Sequence, residues 1–431
     1  MSDFYDIEIK EYPFLEEKIY FAKHRSGLKL KFIPKKGFQK KYASCTFDFG
    51  AANQTFILSD GTIHESPLGT AHFLEHKMFD RPDKNILEQF SKNCADSNAG
   101  TSYSYTTYYF SCTDNFEKNF RLLLELVKNP VFTEESVEKE KGIIAQEINM
   151  YNDDPSYVAS VKATEAMYKA NPIRYDIAGT EESIDNITAE ELKLIHGLFY
   201  SPSNMVITVC GDIAPETIYE ITDEYFAGLS PISVPKTIID KEEDVVLDKK
   251  QILVNHGDVS MPLFFIGYKD NTMDYDFNKL HIAGDIIKEA AFGKGTDFYE
   301  KMYEESLINQ EFYKYYDMDR AFKYMAFGGE SKHPETVCER IEEEISRIKK
   351  EGLPVKQTTD IIRSEAGSML REFNSPVALG RLAASLALKN SDPFEFFKLY
   401  DEITTDYIEK TFDTMFRGEP VLSIIEEKKA D

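Results

Sequence analysis

One run constrains this chain more than any other: Pro67-Leu68-Gly69-Thr70-Ala71-His72-Phe73-Leu74-Glu75-His76-Lys77-Met78-Phe79. It is compatible with a helix from end to end, and it holds His-x-x-Glu-His. Residues four apart on an α-helix lie about 40° apart around its axis, so His72 and His76 share a face. Two imidazoles so placed can offer their nitrogens to one zinc ion. Glu75, three residues after His72, lies on an adjacent part of the same surface. A carboxylate there can take a proton from a water that the metal activates.

Two histidines do not complete such a site, because a catalytic zinc takes three protein ligands and keeps one position open. The third must come from elsewhere. The best source is Glu138-Lys139-Glu140-Lys141-Gly142-Ile143-Ile144-Ala145-Gln146-Glu147-Ile148. Ile143, Ile144 and Ile148 are expected to form an apolar stripe on this helix. Glu140 and Glu147 are two turns apart, on one face and about 10 Å along the axis. One can ligate the metal while the other fixes a histidine ring. Helical glutamates are mostly solvated surface, and spacing alone does not choose between the two.

The rest of the chain reads as α+β. Of its 431 residues, 42% are hydrophobic, enough for two or more domains. Strands are expected at Lys18–Ala22, Leu28–Pro34 and Tyr42–Phe49, then the histidine helix and a helical run from Asp83 to Asn93. Strands at Asn98–Tyr105 and Thr107–Cys112 follow, then helices at Phe116–Lys128, Glu134–Tyr151, Tyr157–Lys169 and Ala189–Phe199. Asn204–Cys210 reads as a strand and Glu216–Ala227 as a helix. After a Pro-containing, charged stretch the order of blocks begins again, ending on a strand at Pro420–Ile425. Two duplicated αβ domains are therefore expected, each a mostly antiparallel sheet packed with helices. The expected boundaries are residues 1–229 and 251–431, with a linker at 230–250.

Fifty basic and 75 acidic residues leave a net charge of -25, which opposes binding to nucleic acid or anionic lipid. No stretch has the length of a membrane span, and the N-terminus lacks the features of a secretory signal. The cysteines, Cys45, Cys94, Cys112, Cys210 and Cys338, are odd in number and form no Cys-x-x-Cys pair. They are expected to be reduced thiols, which points to the cytoplasm. The remaining histidines are isolated, His64 among them, and Phe292-Gly293-Lys294-Gly295-Thr296 lacks phosphate-loop spacing and is expected to be a helix–helix turn.

The sequence resembles the pitrilysin/insulinase family of zinc metallopeptidases, the inverzincins, and in particular their short-chain processing-peptidase members. Gly69 to His76 followed by Phe79 matches their zinc helix. Asn98-Ala99-Gly100-Thr101 and Thr107-x-Tyr109 match their active-site strands, and Glu140 to Glu147 matches the helix carrying their third ligand. Gly179-Thr180, Tyr200-x-Pro202-x-Asn204-Met205 and Gly211-Asp212 match later landmarks. The resemblance is close from about Lys18 to Asp212 and looser beyond. It implies one zinc per chain on His72, His76 and Glu147, with Glu75 as general base and Glu140 supporting the site. It further implies a strand near Asn98, Ala99 and Thr101 that pairs with an extended peptide, and Phe79 lining a side-chain pocket.

Single-chain members also carry an arginine and a tyrosine in their second half, which grip the substrate. The corresponding positions here hold Tyr303 and Asn309, and Arg320 with Tyr324 has the wrong spacing and is expected on a strand. The resemblance thus implies a zinc endopeptidase subunit forming half of a clamshell chamber for short or precursor peptides. Its partner would be a homologous zinc-less subunit carrying the pair, with a homodimer as the alternative. A catalytically silent scaffold of the same fold is the different-class alternative; retention of His72, Glu75, His76 and Glu147 argues against it.

Overall fold

The computed structural model describes residues 3–81, 85–239, 246–273, 275–389 and 391–428. The centre of the expected linker and the start of the run from Asp83 lie outside the described residues. Strands β1 (Phe4–Tyr12), β2 (Glu17–His24), β3 (Lys29–Pro34) and β4 (Lys41–Phe47) open the chain. Short strands β5 (Thr55–Ile57) and β6 (Ile63–Glu65) follow, then helices α1 (Thr70–Phe79) and α2 (Ile86–Lys92). Next come β7 (Ala95–Thr101), β8 (Thr106–Cys112), α3 (Phe116–Lys128), α4 (Glu134–Asn152), α5 (Pro155–Met167) and β9 (Met205–Gly211). The later strands are β10 (Lys236–Thr237), β11 (Gln251–Gly257), β12 (Leu263–Lys269), β13 (Tyr313–Met318), β14 (Lys323–Glu330) and β15 (Val421–Glu427).

The first sheet has the order β1-β2-β3-β9-β4-β8-β7, and the second β11-β15-β12-β14-β13. In the first, every pair is antiparallel except β3–β9; in the second, every pair is antiparallel except β11–β15. Strand for strand, β3-β9-β4-β8-β7 and β11-β15-β12-β14-β13 are the same topology. The duplication expected from the order of blocks is thus present in the sheets, and the fold is α+β. The first sheet alone is extended by the β1–β2 hairpin; β1 was not anticipated, its residues alternating too weakly, with Ile7 and Ile9 exposed.

Two compact units result: Met1–Gln146, Ile177–Ile238 and Met369–Glu395 in one, and Glu147–Asp176, Ile239–Ser368 and Phe396–Asp431 in the other. The sequence-order division at residues 229 and 251 places 147–176 and 369–395 the other way. The reason is an exchange of helices. The helix Pro376–Ser385, from the second half, packs on β4 and β9, while α5, from the first half, packs on β12 and β15. In the first unit the exchanged segment is tied down by polar bonds: Lys31 Nζ on β3 donates to the carbonyls of Ser391 (2.7 Å) and Leu386 (3.3 Å). Burial pulls this lysine's pKa down to about 8. Tyr12 donates from β1 to Asp392 at 2.9 Å. Within the expected linker, β10 pairs antiparallel with β5.

Candidate metal centre and peptide-pairing strand

Helix α1 has two faces with different work. Ala71, Phe73, Leu74, Lys77 and Met78 are buried, while His72, Glu75, His76 and Phe79 are half-buried. The apolar line anchors the helix, so the second line is presented together. Gly69 starts the helix with φ +87°, and a Cβ there would stand 2.4 Å from the Ala178 carbonyl oxygen. Gly179, at φ +79°, approaches the Leu68 carbonyl equally closely, at 2.6 Å for an added Cβ. Ser183 Oγ donates to that same carbonyl at 2.9 Å. These two glycines clasp the start of α1 to the segment 178–183, and only residues free to adopt left-handed φ without a side chain permit it.

Helix α4 spans Glu134–Asn152. Val137, Glu140, Ile144 and Ile148 form its buried line. Ile143, expected in that stripe, is 45% exposed: it lies about 100° round from Ile144, and the 3-4-4 spacing selects Glu140 in its place. Lys77, fully buried on α1, donates to the Ser136 carbonyl (3.1 Å) at the start of α4, and pairs with Asp80. Lys141 donates to the Asp185 carbonyl at 2.9 Å.

These contacts bring His72, His76 and Glu147 together, with one ligand atom of each within 4.8 Å of the others. Among the described residues this is the one group of its kind. The two imidazole rings are 4.6 Å apart. Glu140 Oε1 sits 3.1 Å from His76 Nδ1, as a carboxylate does when it accepts that proton and directs Nε2 to a metal. Tyr151 donates to Glu147 Oε1 at 3.0 Å, a contact that the i, i+4 spacing alone could have suggested. Two imidazoles and one carboxylate converging in this way fit the donor set that a catalytic zinc takes.

Beside this group, Thr101 Oγ1 donates to Glu75 Oε2 at 2.6 Å. Behind it lie Tyr108 and Tyr200, both buried, hydroxyl to hydroxyl at 3.0 Å. Burial, followed by the other tyrosine and the Glu75 carboxylate, pushes the Tyr108 phenol well above its ordinary value. Burial does the same to Tyr200. Phe79 packs its ring 6.0 Å from that of Tyr108.

Strand β7 is the edge of the first sheet, paired on one side with β8 in the register Asn98↔Tyr109, Ala99↔Tyr108 and Thr101↔Thr106. Asn98 is exposed and accepts from the Ala99 amide at 2.8 Å. In the second unit, Tyr303 is exposed and stacked on Tyr299, and Asn309 donates to Glu330 at 3.1 Å. Arg320 lies in the turn between β13 and β14 rather than on a strand, because Asp319 pairs back to Phe322. His64 bonds Glu191 and His24 bonds Asp223, so each is held by a structural partner.

The chain matches the sequence profile of insulinase (peptidase family M16) over residues 57–181 and that of the peptidase M16 inactive domain over residues 186–364. It is 34% identical over 408 residues to the uncharacterized zinc protease YmfH of Bacillus subtilis, covering 93% of this chain and 94% of that protein. The chain belongs to the insulinase (M16) family. A crystal structure of an M16-like peptidase from Alicyclobacillus acidocaldarius superposes with a TM-score of 0.90 at 29% identity, covering 97% of this chain and all of that one. The probable mitochondrial-processing peptidase subunit beta of Arabidopsis thaliana is 24% identical over 206 residues, 47% of this chain and 39% of that protein.

Proposed function

We propose that this chain is a zinc-dependent endopeptidase of short unfolded or precursor peptides, acting as the catalytic subunit of a two-chain enzyme. The observation that carries the reading is the convergence of His72 and His76 of α1 with Glu147 of α4, beside Glu75, which shares α1 with the two histidines. His72, His76 and Glu147 hold one zinc, with Glu140 orienting His76. Bound there, zinc supplies a Lewis acid that makes water acidic and the scissile carbonyl electrophilic. Glu75 takes the proton of the attacking water and returns it to the leaving amine as the C–N bond breaks. The free side of β7 pairs with an extended peptide through Asn98, Ala99 and Thr101, adding one strand to the sheet, and Phe79 lines a side-chain pocket.

The partner is inferred from what the second unit lacks. Tyr303 and Asn309 stand where an arginine–tyrosine pair would grip the carbonyl, and losing such a donor costs about 2.7–4 kcal/mol. A homologous zinc-less subunit supplies the pair and the other half of the chamber. The name of the Arabidopsis relative, a beta subunit, agrees with such an assembly. The net charge of -25 favours basic peptide segments. The free thiols, four of them buried, fit a cytoplasmic setting. The scaffold alternative is disfavoured because the match to the inactive domain is confined to residues 186–364, outside the histidine and glutamate group.

Metal analysis separates the two readings. Wild type should purify with one zinc per chain, Glu75→Gln should retain it, and Glu147→Gln should lose most of it. Wild-type protein that binds no zinc would leave only the scaffold, and full occupancy in Glu147→Gln would remove that residue from the ligand set.

A further inference from the structure

Thr101 is the last residue of β7, the edge strand, yet its hydroxyl turns away from that edge toward α1. It donates to Glu75 Oε2 at 2.6 Å. The other hydroxyl within reach is that of Thr106, its cross-strand partner, at 3.4 Å. A threonine has one proton to give, and the shorter, charge-assisted contact takes it. Thr106 does not compete for the carboxylate. It is fully buried and donates to the Phe49 carbonyl at 2.9 Å. Beyond it stand the buried, neutral hydroxyls of Tyr200 and Tyr108. Glu75 is thus bonded by Thr101, with the fixed hydroxyls of Thr106, Tyr200 and Tyr108 behind that threonine.

We infer that Thr101 is a positioning residue: its hydroxyl holds one oxygen of Glu75 and sets the rotamer in which the carboxylate meets the attacking water. The inference deepens the reading of Glu75 as general base and rests on it. It also ties two parts of the site together. The strand on which the peptide pairs ends in the residue that holds the base, so a peptide seated on β7 steadies the alignment of Glu75. Thr101 then contributes to kcat through the carboxylate, in addition to any contact its backbone makes with the peptide.

The test compares Thr101→Val, which keeps the shape and loses the hydroxyl, with Thr101→Ser, which keeps the hydroxyl. Peptide cleavage is measured with the zinc-loaded chain in whatever assembly gives wild-type turnover. Thr101→Val should lose roughly 10- to 100-fold in kcat with KM, zinc content and melting temperature little changed, and Thr101→Ser should recover most of the loss. The second readout needs no turnover: in crystals of metal-free Thr101→Val the Glu75 carboxylate should leave the rotamer it holds in the wild type. Wild-type kcat in Thr101→Val, equal impairment in the serine variant, a loss confined to KM, or an unmoved carboxylate would each overturn the inference. If Glu75→Gln turns over peptide like wild type, the general-base reading fails instead, and the metal-free crystals still decide whether Thr101 positions the carboxylate.

Discussion

At the scale of single residues, three side chains of the site each meet an identifiable holding neighbour. Glu140 holds His76, Tyr151 holds Glu147 and Thr101 holds Glu75. The grouping of His72, His76 and Glu147 was legible because helical periodicity puts i and i+4 on one face, and because the family resemblance selects Glu147 over Glu140. The hold of Thr101 on Glu75 was not legible. The two residues are 26 apart and meet across a helix and a strand, so no local spacing announces them. Thr101 was expected only as a peptide contact. Ile143 was misplaced for a related reason: three isoleucines within six residues look like one stripe until Glu140 is seen to take a place in it. That buried carboxylate yields a prediction. Glu140→Ala should leave the three ligands in place but free the His76 ring, lowering zinc affinity about 10- to 100-fold. Competition with a calibrated chelator reads this directly; unchanged affinity would make the 3.1 Å contact incidental.

At the scale of elements, the position of α1 matters more than its helicity. Its start is fixed by the clasp of Gly69 and Gly179, and its flank by Lys77 reaching the start of α4. Sequence showed Gly179-Thr180 as a landmark without showing its use. The use is close approach of two backbones, which leaves no periodic trace. Gly179→Ala should therefore destabilise the fold by about 1–3 kcal/mol, since its φ is +79° and an added Cβ would press on a backbone oxygen at 2.6 Å. Thermal or urea unfolding measures it, and a stability equal to wild type would show that the segment 178–183 yields without cost. Because the clasp fixes the start of α1, Gly179→Ala should also lower zinc affinity.

At the scale of the whole molecule, the duplication could be read from the recurrence of strand and helix blocks, because the same topology forces the same order along the chain. The exchange of α5 and Pro376–Ser385 between the sheets could not. An amphipathic pattern says that a helix has an apolar face, not which sheet receives it. Each sheet is completed by a helix from the other half of the sequence. The second unit repeats the strands but not the histidine motif, and on the proposed reading Tyr303 and Asn309 stand in place of a substrate-gripping pair. On this account the chain is the zinc-bearing half of an enzyme whose other half grips the peptide. The most direct test is cleavage of an unstructured, basic peptide by the purified chain, alone and mixed with a zinc-less homologue that carries the arginine–tyrosine pair, in wild type and Glu75→Gln. The account predicts weak or no cleavage by the chain alone, chelator-sensitive cleavage by the wild-type mixture and none by the Glu75→Gln mixture. Equal turnover by the Glu75→Gln mixture, or full activity of the isolated chain as a homodimer, would contradict it.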